Sequence, residues 1–152
     1  ESSEQINRRN VLQVLAGSAA IAALPLRALA SLVRQQPAFD AKDIETVFSA
    51  FGSAPEDSDQ ILLETPDIAE NGAVVPVEVT SSIPGTTRIS IAIEMNPNPL
   101  AAVFAIPEGT EAYVATRIKV AQTCMIYAVV EAQGKLYKAG RETKVTLGGC
   151  GG

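Results

Sequence analysis

Turn signals punctuate the second half of this chain and rule out long helices there. Ile83-Pro84-Gly85, Asn96-Pro97-Asn98-Pro99, Pro107-Glu108-Gly109, Gln133-Gly134 and Ala139-Gly140 each carry residues that tight turns need. Proline removes a backbone donor and fixes φ, and glycine supplies conformations closed to other residues. From Val74 onward the stretches between these signals are rich in β-branched residues, and their hydrophobicity alternates with a period of two. Strands are predicted over Val74–Thr80, Arg88–Met95, Ala101–Ile106, Ala112–Ala121, Met125–Ala132, Lys135–Lys138 and Glu142–Leu147. About seven short strands so closely spaced predict an all-β domain, an antiparallel β-sandwich of immunoglobulin-like type. The composition agrees: 47 % of residues are apolar but only 5 % aromatic, with no tryptophan, so the core must be built from Val, Ile, Ala and Leu.

Ahead of the strands the period changes. Asp40-Ala41-Lys42-Asp43 offers carboxylates suited to a helix N-terminus. Ile44, Val47, Phe48 and Phe51 follow at i, i+3, i+4 and i+7 and form one apolar stripe, with Gly52 as a stop. A short helix covering one side of the sandwich is expected. Residues 31–39 lack a pattern and contain Pro37, which reads as a linker, so the carrier of the fold is residues 40–147.

Residues 1–30 have the organisation of a targeting segment rather than of a folded element. Arg8-Arg9 precede an apolar stretch from Val11 to Leu26, and Ala28-Leu29-Ala30 offers the small residues of a cleavage site. The adjacent arginines, with Asn7 before them and Val11-Leu12 after, resemble a twin-arginine export signal, which carries folded proteins to the periplasm. The apolar stretch is interrupted by Gly17 and Pro25, which makes it a marginal span, so no stable membrane insertion is expected.

Without that segment the chain holds nine basic and fifteen acidic side chains, a poor surface for nucleic acid. Nine acids fall within residues 40–70 against Lys42 alone. Residues 135–144 hold Lys135, Lys138, Arg141 and Lys144 against Glu142, which predicts a locally cationic region next to the last residues. The sequence has no histidine and two cysteines, so no metal site with zinc, haem or iron-sulfur ligand spacing can be assembled from one chain, and no cofactor is expected. A phosphate-binding loop, a dinucleotide-binding glycine motif and a serine with a histidine partner are all missing.

The two cysteines sit in opposite settings. Cys124 lies in "VAQTCMIYAVV", where Cys124, Ile126, Ala128 and Val130 share one strand face, and it reads as a small buried hydrophobe. A disulfide to Cys150 is the rival reading in an oxidising compartment, at the cost of folding a glycine-rich segment back onto a sheet face. Cys150 is flanked by Gly148-Gly149 and Gly151-Gly152, a thin strip of backbone whose one functional group is the thiol. Measured from Lys144, an extended chain puts that sulfur on the order of 20 Å beyond the last strand, enough to enter a deep and narrow pocket of another protein. No neighbouring histidine, helix N-terminus or metal ligand lowers its pKa, so the thiol is presented rather than activated. A carrier fits: it holds a covalent adduct and takes it to enzymes that supply the activating groups. A thiocarboxylate-type sulfur carrier would use a terminal carboxylate instead, and neither Cys150 nor the export signal suits it. A periplasmic sandwich that merely dimerises through Cys150 is a third reading.

The terminal "GGCGG", the preceding "GKLYKAGRETKVTL" (Gly134–Leu147), "NPNPLAAVF" (Asn96–Phe104), "TRIK" (Thr116–Lys119) and the leading "NRRNVLQVLAG" together closely resemble the SoxY family, the sulfur-substrate carrier subunits of the periplasmic thiosulfate-oxidising (Sox) system. The resemblance implies a non-enzymatic carrier with Cys150 as the covalent attachment point and Gly148, Gly149, Gly151 and Gly152 as its swinging arm. It implies a heterodimer with a smaller β-sandwich subunit, SoxZ. It also implies work with three enzymes: a c-type cytochrome complex that conjugates thiosulfate to the thiol, a hydrolase that releases sulfate, and a sulfur dehydrogenase that oxidises the remaining sulfane. Cys124 is outside the family motif.

Overall fold

The computed structural model describes residues 36–146. The chain divides into two compact units, Glu1–Gln36 and Pro37–Gly152, and apart from Gln36 the described residues belong to the second. The predicted signal segment, with Arg8 and Arg9, lies outside the described residues, as do Leu147 and the arm residues Gly148, Gly149, Cys150, Gly151 and Gly152.

The protein is a β-sandwich. Its larger sheet has the order β1 (Glu56–Asp57), β9 (Lys135–Val145), β8 (Cys124–Ala132), β5 (Thr86–Ile93), β6 (Leu100–Ala105), with β3 (Ile68–Ala69) paired to β9 as well. The smaller sheet is β2 (Ile61–Glu64), β4 (Val75–Ser81), β7 (Tyr113–Ile118). The period-two pattern puts Val75, Val77 and Val79 of the small sheet and Ile89, Ile91, Ile93, Ile126, Ala128 and Val130 of the large one in the shared core, all fully buried. Burying each Val or Ile side chain contributes about 1.5–3 kcal/mol, and the whole core is assembled from such residues.

The outer face of the large sheet is also covered. Helix α1 (Ile44–Ala50) lays Val47 and Phe48 against Ala92, Leu100 and Val103. Phe48 meets Tyr127 edge to face, with ring centroids 5.7 Å apart and planes at 83°, and the Arg88 guanidinium sits 5.2 Å above the Phe51 ring. The helix starts at Asp43 rather than Asp40. The Asp43 carboxylate accepts from the Thr46 amide and hydroxyl, both at 2.8 Å, and these bonds hold it below the usual carboxylate range. Residues 36–40 form a separate helical turn, which brings Ala38 into the same small cluster as Val47.

Five of the predicted strands appear with boundaries shifted by a few residues, and two differences matter. First, Lys135–Lys138 and Glu142–Leu147 are not separated by a turn: β9 runs unbroken from Lys135 to Val145. Gly140 lies opposite Tyr127 in the β8–β9 ladder. A Cβ there would stand 2.9 Å from Tyr127 Cε1 and 3.0 Å from Met125 Cε, so this glycine makes room for a ring instead of bending the chain. Second, β1, β2 and β3 were not anticipated. β1 and β3 pair in parallel with the same edge of β9, so the large sheet is mixed rather than purely antiparallel. The turn read at Gln133-Gly134 is the β8–β9 hairpin, with φ of 52° and 74°, the left-handed pair that matches strand twist.

Candidate functional site

The candidate site is built on the last residues of β9, which ends five positions before Cys150 in the chain. Its last residues are held from both sides. On one edge Cys124 pairs with Thr143; on the other Ile68 pairs with Lys144 and Ala69 with Val145. Three successive amides are engaged: Lys144 N–H donates to Asp67 O at 2.9 Å, Val145 N–H to Thr123 Oγ1 at 3.0 Å, and Thr146 N–H to Ala69 O at 3.2 Å. Thr143 is fully buried, and its hydroxyl is 3.1 Å from that of Thr65, so each satisfies the other. The chain is therefore fastened through Thr146, two residues further than Lys144. Cys150 lies four positions beyond, so an extended backbone reaches about 14 Å rather than about 20 Å.

Two loops, at Gly72 and at Val120–Thr123, meet this root at Val145, and a third, at Asn96, is tied to the second. The Gly72 carbonyl accepts from Val120 N–H at 2.7 Å, and a Cβ on Gly72 would fall 2.5 Å from Val120 O and 2.9 Å from Val145 Cγ1. Asn96 bridges the next pair of loops, donating from Nδ2 to Lys119 O at 2.7 Å and accepting at Oδ1 from Ala121 N–H at 2.9 Å. Thr65, Asp67, Gly72, Asn96 and Thr123 were not foreseen from sequence. Asn71-Gly72 is a turn dipeptide that could have pointed to one of these loops; the others act through contacts far apart in the chain.

The cationic region expected over residues 135–144 is dispersed. An extended β9 spreads Lys135 and Lys144 about 30 Å apart. Lys138 is paired with Asp57 and Arg141 with Asp67, each at 2.8 Å, and the Lys138 ammonium also stands 5.8 Å from the Tyr127 ring centroid. The acidic 40–70 segment thus supplies β9 with its counter-charges. Lys144 alone of the four adjoins the root.

Cys124 occupies the inner face of β8 as expected, 6 % exposed and packed with Ile126, Ala128 and Val130. Burial pushes its thiol pKa up, with Glu94 adding in the same direction against hydrogen bonds from the Met95 and Glu94 backbone. This is the environment of an inert thiol. Among the described residues no group of three or more His, Cys, Asp or Glu could hold a metal ion, and no helix is long and apolar enough to cross a membrane.

Comparison with known proteins identifies what this architecture is. The family model for "Sulfur oxidation protein SoxY" matches residues 47–150. A solved structure, that of the sulfur carrier protein SoxY from Chlorobium limicola f thiosulfatophilum, is similar at 44 % sequence identity and a TM-score of 0.61, over 68 % of this chain and 94 % of that one. The comparison with curated proteins returned no match. With the family model running from α1 through Cys150, this chain belongs to the SoxY family of sulfur oxidation proteins.

Proposed function

We propose that this protein is a covalent carrier of thiosulfate-derived sulfur, with Cys150 as the attachment point and Gly148, Gly149, Gly151 and Gly152 as the arm that presents it. One observation carries the reading: β9 is fastened amide by amide through Thr146, and the single cysteine of the glycine segment follows four positions later. A rigid base and a short glycine tether deliver a thiol to other active sites. The chain has no histidine, and Cys124 is buried, so the chain itself offers little to activate the thiol. The chemistry then belongs to the enzymes it visits, and the protein is a carrier subunit rather than an enzyme.

The steps balance on one thiol. Joining thiosulfate to it, RSH + S2O3(2−) → RS–S–SO3(−) + H(+) + 2e(−), forms a sulfur–sulfur bond and sends two electrons to the c-type cytochrome complex. Hydrolysis, RS–S–SO3(−) + H2O → RS–SH + SO4(2−) + H(+), breaks the bond between the sulfane and sulfonate sulfurs and releases sulfate. The persulfide that remains is the substrate of the sulfur dehydrogenase. A SoxZ-type β-sandwich subunit completes the carrier. The site of action is the periplasm, reached by the twin-arginine route on the strength of Arg8-Arg9; the precursor with both arginines changed to lysine should stay in the cytoplasm, and its normal export would refute that route.

In a reconstituted thiosulfate-oxidising system, Cys150→Ser should abolish turnover while leaving melting temperature and partner binding unchanged. Full activity in that variant overturns the carrier reading.

A further inference from the structure

The large sheet protects one of its two sides and leaves the other bare. β9 has its outer edge covered by β1 and β3. On the opposite side the sheet ends at β6, which among the described residues pairs with β5 alone. The ladder shows which main-chain groups this leaves over. Ile106 N–H donates to Thr87 O at 2.9 Å, and at the same register Phe104 faces Ile89 and Ala102 faces Ile91. Antiparallel pairs alternate, so residues 102, 104 and 106 bond inward to β5, while Ala101, Val103 and Ala105 turn their N–H and C=O groups outward. The side chains of Ala101 and Ala105 are exposed as well. No charged residue interrupts the run from Leu100 to Ile106, although charge is a usual protection of such an edge. The edge of the small sheet at β7 is blunted by comparison: Tyr113 N–H is taken by Glu111 O at 2.9 Å, and Arg117 stands on the strand.

We propose that β6 seats a second copy of this chain, the two β6 strands pairing antiparallel across a two-fold axis at Val103. Symmetry in the sequence picks this occupant. Pro99 and Pro107 bracket the run at equal distances from Val103. In this register Val103 faces its own copy, Ala101 faces Ala105 of the second copy, and each outward amide meets an outward carbonyl. The pairing supplies about six main-chain hydrogen bonds. A slip to either side sets a proline, which has no N–H, against a carbonyl that needs one. Charge agrees with the same register. Lys42 is hydrogen-bonded to Asn98, just before Pro99, and Glu108 comes just after Pro107. Antiparallel pairing therefore brings Lys42 of each copy to the end where Glu108 of the other lies. The dimer does not rest on the reading of Cys150. The ladder aligns Val103 with Ser90, Val129 and Lys138, and the further run of β9 carries Thr146 about 27 Å from the level of the axis. The two copies run opposite ways, which separates their Thr146 residues by on the order of 50 Å along the strands alone. Two segments of about 14 Å each cannot span that distance, so no disulfide between the two Cys150 residues holds this pair together.

The test is sedimentation equilibrium on the exported chain, purified without other subunits and with reductant present. The chain should self-associate to a dimer in the micromolar range, and Cys150→Ser should do the same. Ala101→Lys with Ala105→Lys sets like charges opposite each other across the axis and should weaken the dimer about tenfold or more. The matching pair Ala101→Glu with Ala105→Glu should weaken it likewise. Mixed in equal amounts, the lysine and glutamate variants should associate with each other, because these strands are the ones that meet. Ala105→Pro removes an outward amide without touching the β5–β6 ladder and should also dissociate the dimer. Its counterpart on β7, where the bond from Ser81 N–H to Ala112 O turns Ala115 outward by the same alternation, is Ala115→Pro, which should leave the dimer intact. Should the lysine pair melt early, Ala105→Pro decides in its place. A monomeric wild-type chain, a dimer that reductant dissolves, a dimer that survives the lysine pair, or an equal loss in Ala115→Pro overturns the proposal. So does a monomeric chain whose binding to a SoxZ-type subunit is what Ala105→Pro removes, a result that gives the edge to that subunit.

Discussion

At the scale of single residues, Cys124 lies in the core, as read from its strand, while Cys150 lies outside the described residues. Cys124 faces the core at 6 % exposure and its thiol is held protonated by burial, as the alternation of its strand implied. Cys124→Ser should cost about 1–2 kcal/mol in denaturant unfolding, the ordinary range for a polar atom placed in a core, and leave thiosulfate turnover intact. Loss of turnover in a folded variant would give Cys124 a role the account denies it. The raised pKa adds a pH signature. Once pH passes the value at which an unfolded thiol ionises, the native thiol still keeps its proton, so the native state binds more protons and stability falls as pH rises. Urea titrations should show that decline begin at lower pH in wild type than in Cys124→Ser. The serine variant keeps only the later fall from Tyr127 and Tyr113, whose hydroxyls are raised by burial and by the bond to Glu78 respectively. Identical alkaline limbs would show that the thiol is solvated. What single residues did not reveal is the fastening of the root. Asn96, Thr123 and Thr65 look like ordinary polar loop residues, because their partners lie 22 to 78 positions away.

At the scale of elements, periodicity was legible wherever a strand was long enough to repeat it. Residues 75–132 show it clearly, and so does the apolar stripe of α1. It was silent for β1 and β3, which have two residues each and exist only because β9 offers them an edge. It misled at Ala139-Gly140, where glycine marks a packed ring rather than a turn. The glycines of the arm pose the same question: conformational freedom or lack of bulk. If they act only as a loose tether, alanine at Gly149 and Gly151 changes little, since a short alanine-containing segment still samples many conformations. If thinness and positive φ are needed inside a narrow cleft, each added Cβ obstructs entry. The account predicts the second: Gly149→Ala with Gly151→Ala should lower turnover sharply while the rate of Cys150 alkylation by a small reagent stays unchanged. Undiminished turnover would reduce the glycines to a tether.

At the scale of the whole molecule, the proposed carrier role divides the labour between the sandwich and the end of β9, which precedes Cys150 in the chain. The sandwich was readable because its core is made by alternation of Val and Ile, a local pattern. The cationic end was misjudged because charge was counted along the sequence, whereas β9 spreads those lysines and the acidic segment folds back to pair two of the four cations. The central claim is the proposed role of Cys150 in this member of the SoxY family, and the most direct test is to weigh the protein at work. Intact mass should be measured on protein isolated from cells oxidising thiosulfate, before and after reductant, for wild type and Cys150→Ser together. The account predicts sulfur-containing adducts on wild type that reductant removes and that map by peptide fragmentation to Cys150, with unmodified mass throughout for the serine variant. An unmodified or merely dimerised wild-type protein during turnover, or the same adducts on Cys150→Ser, would contradict it.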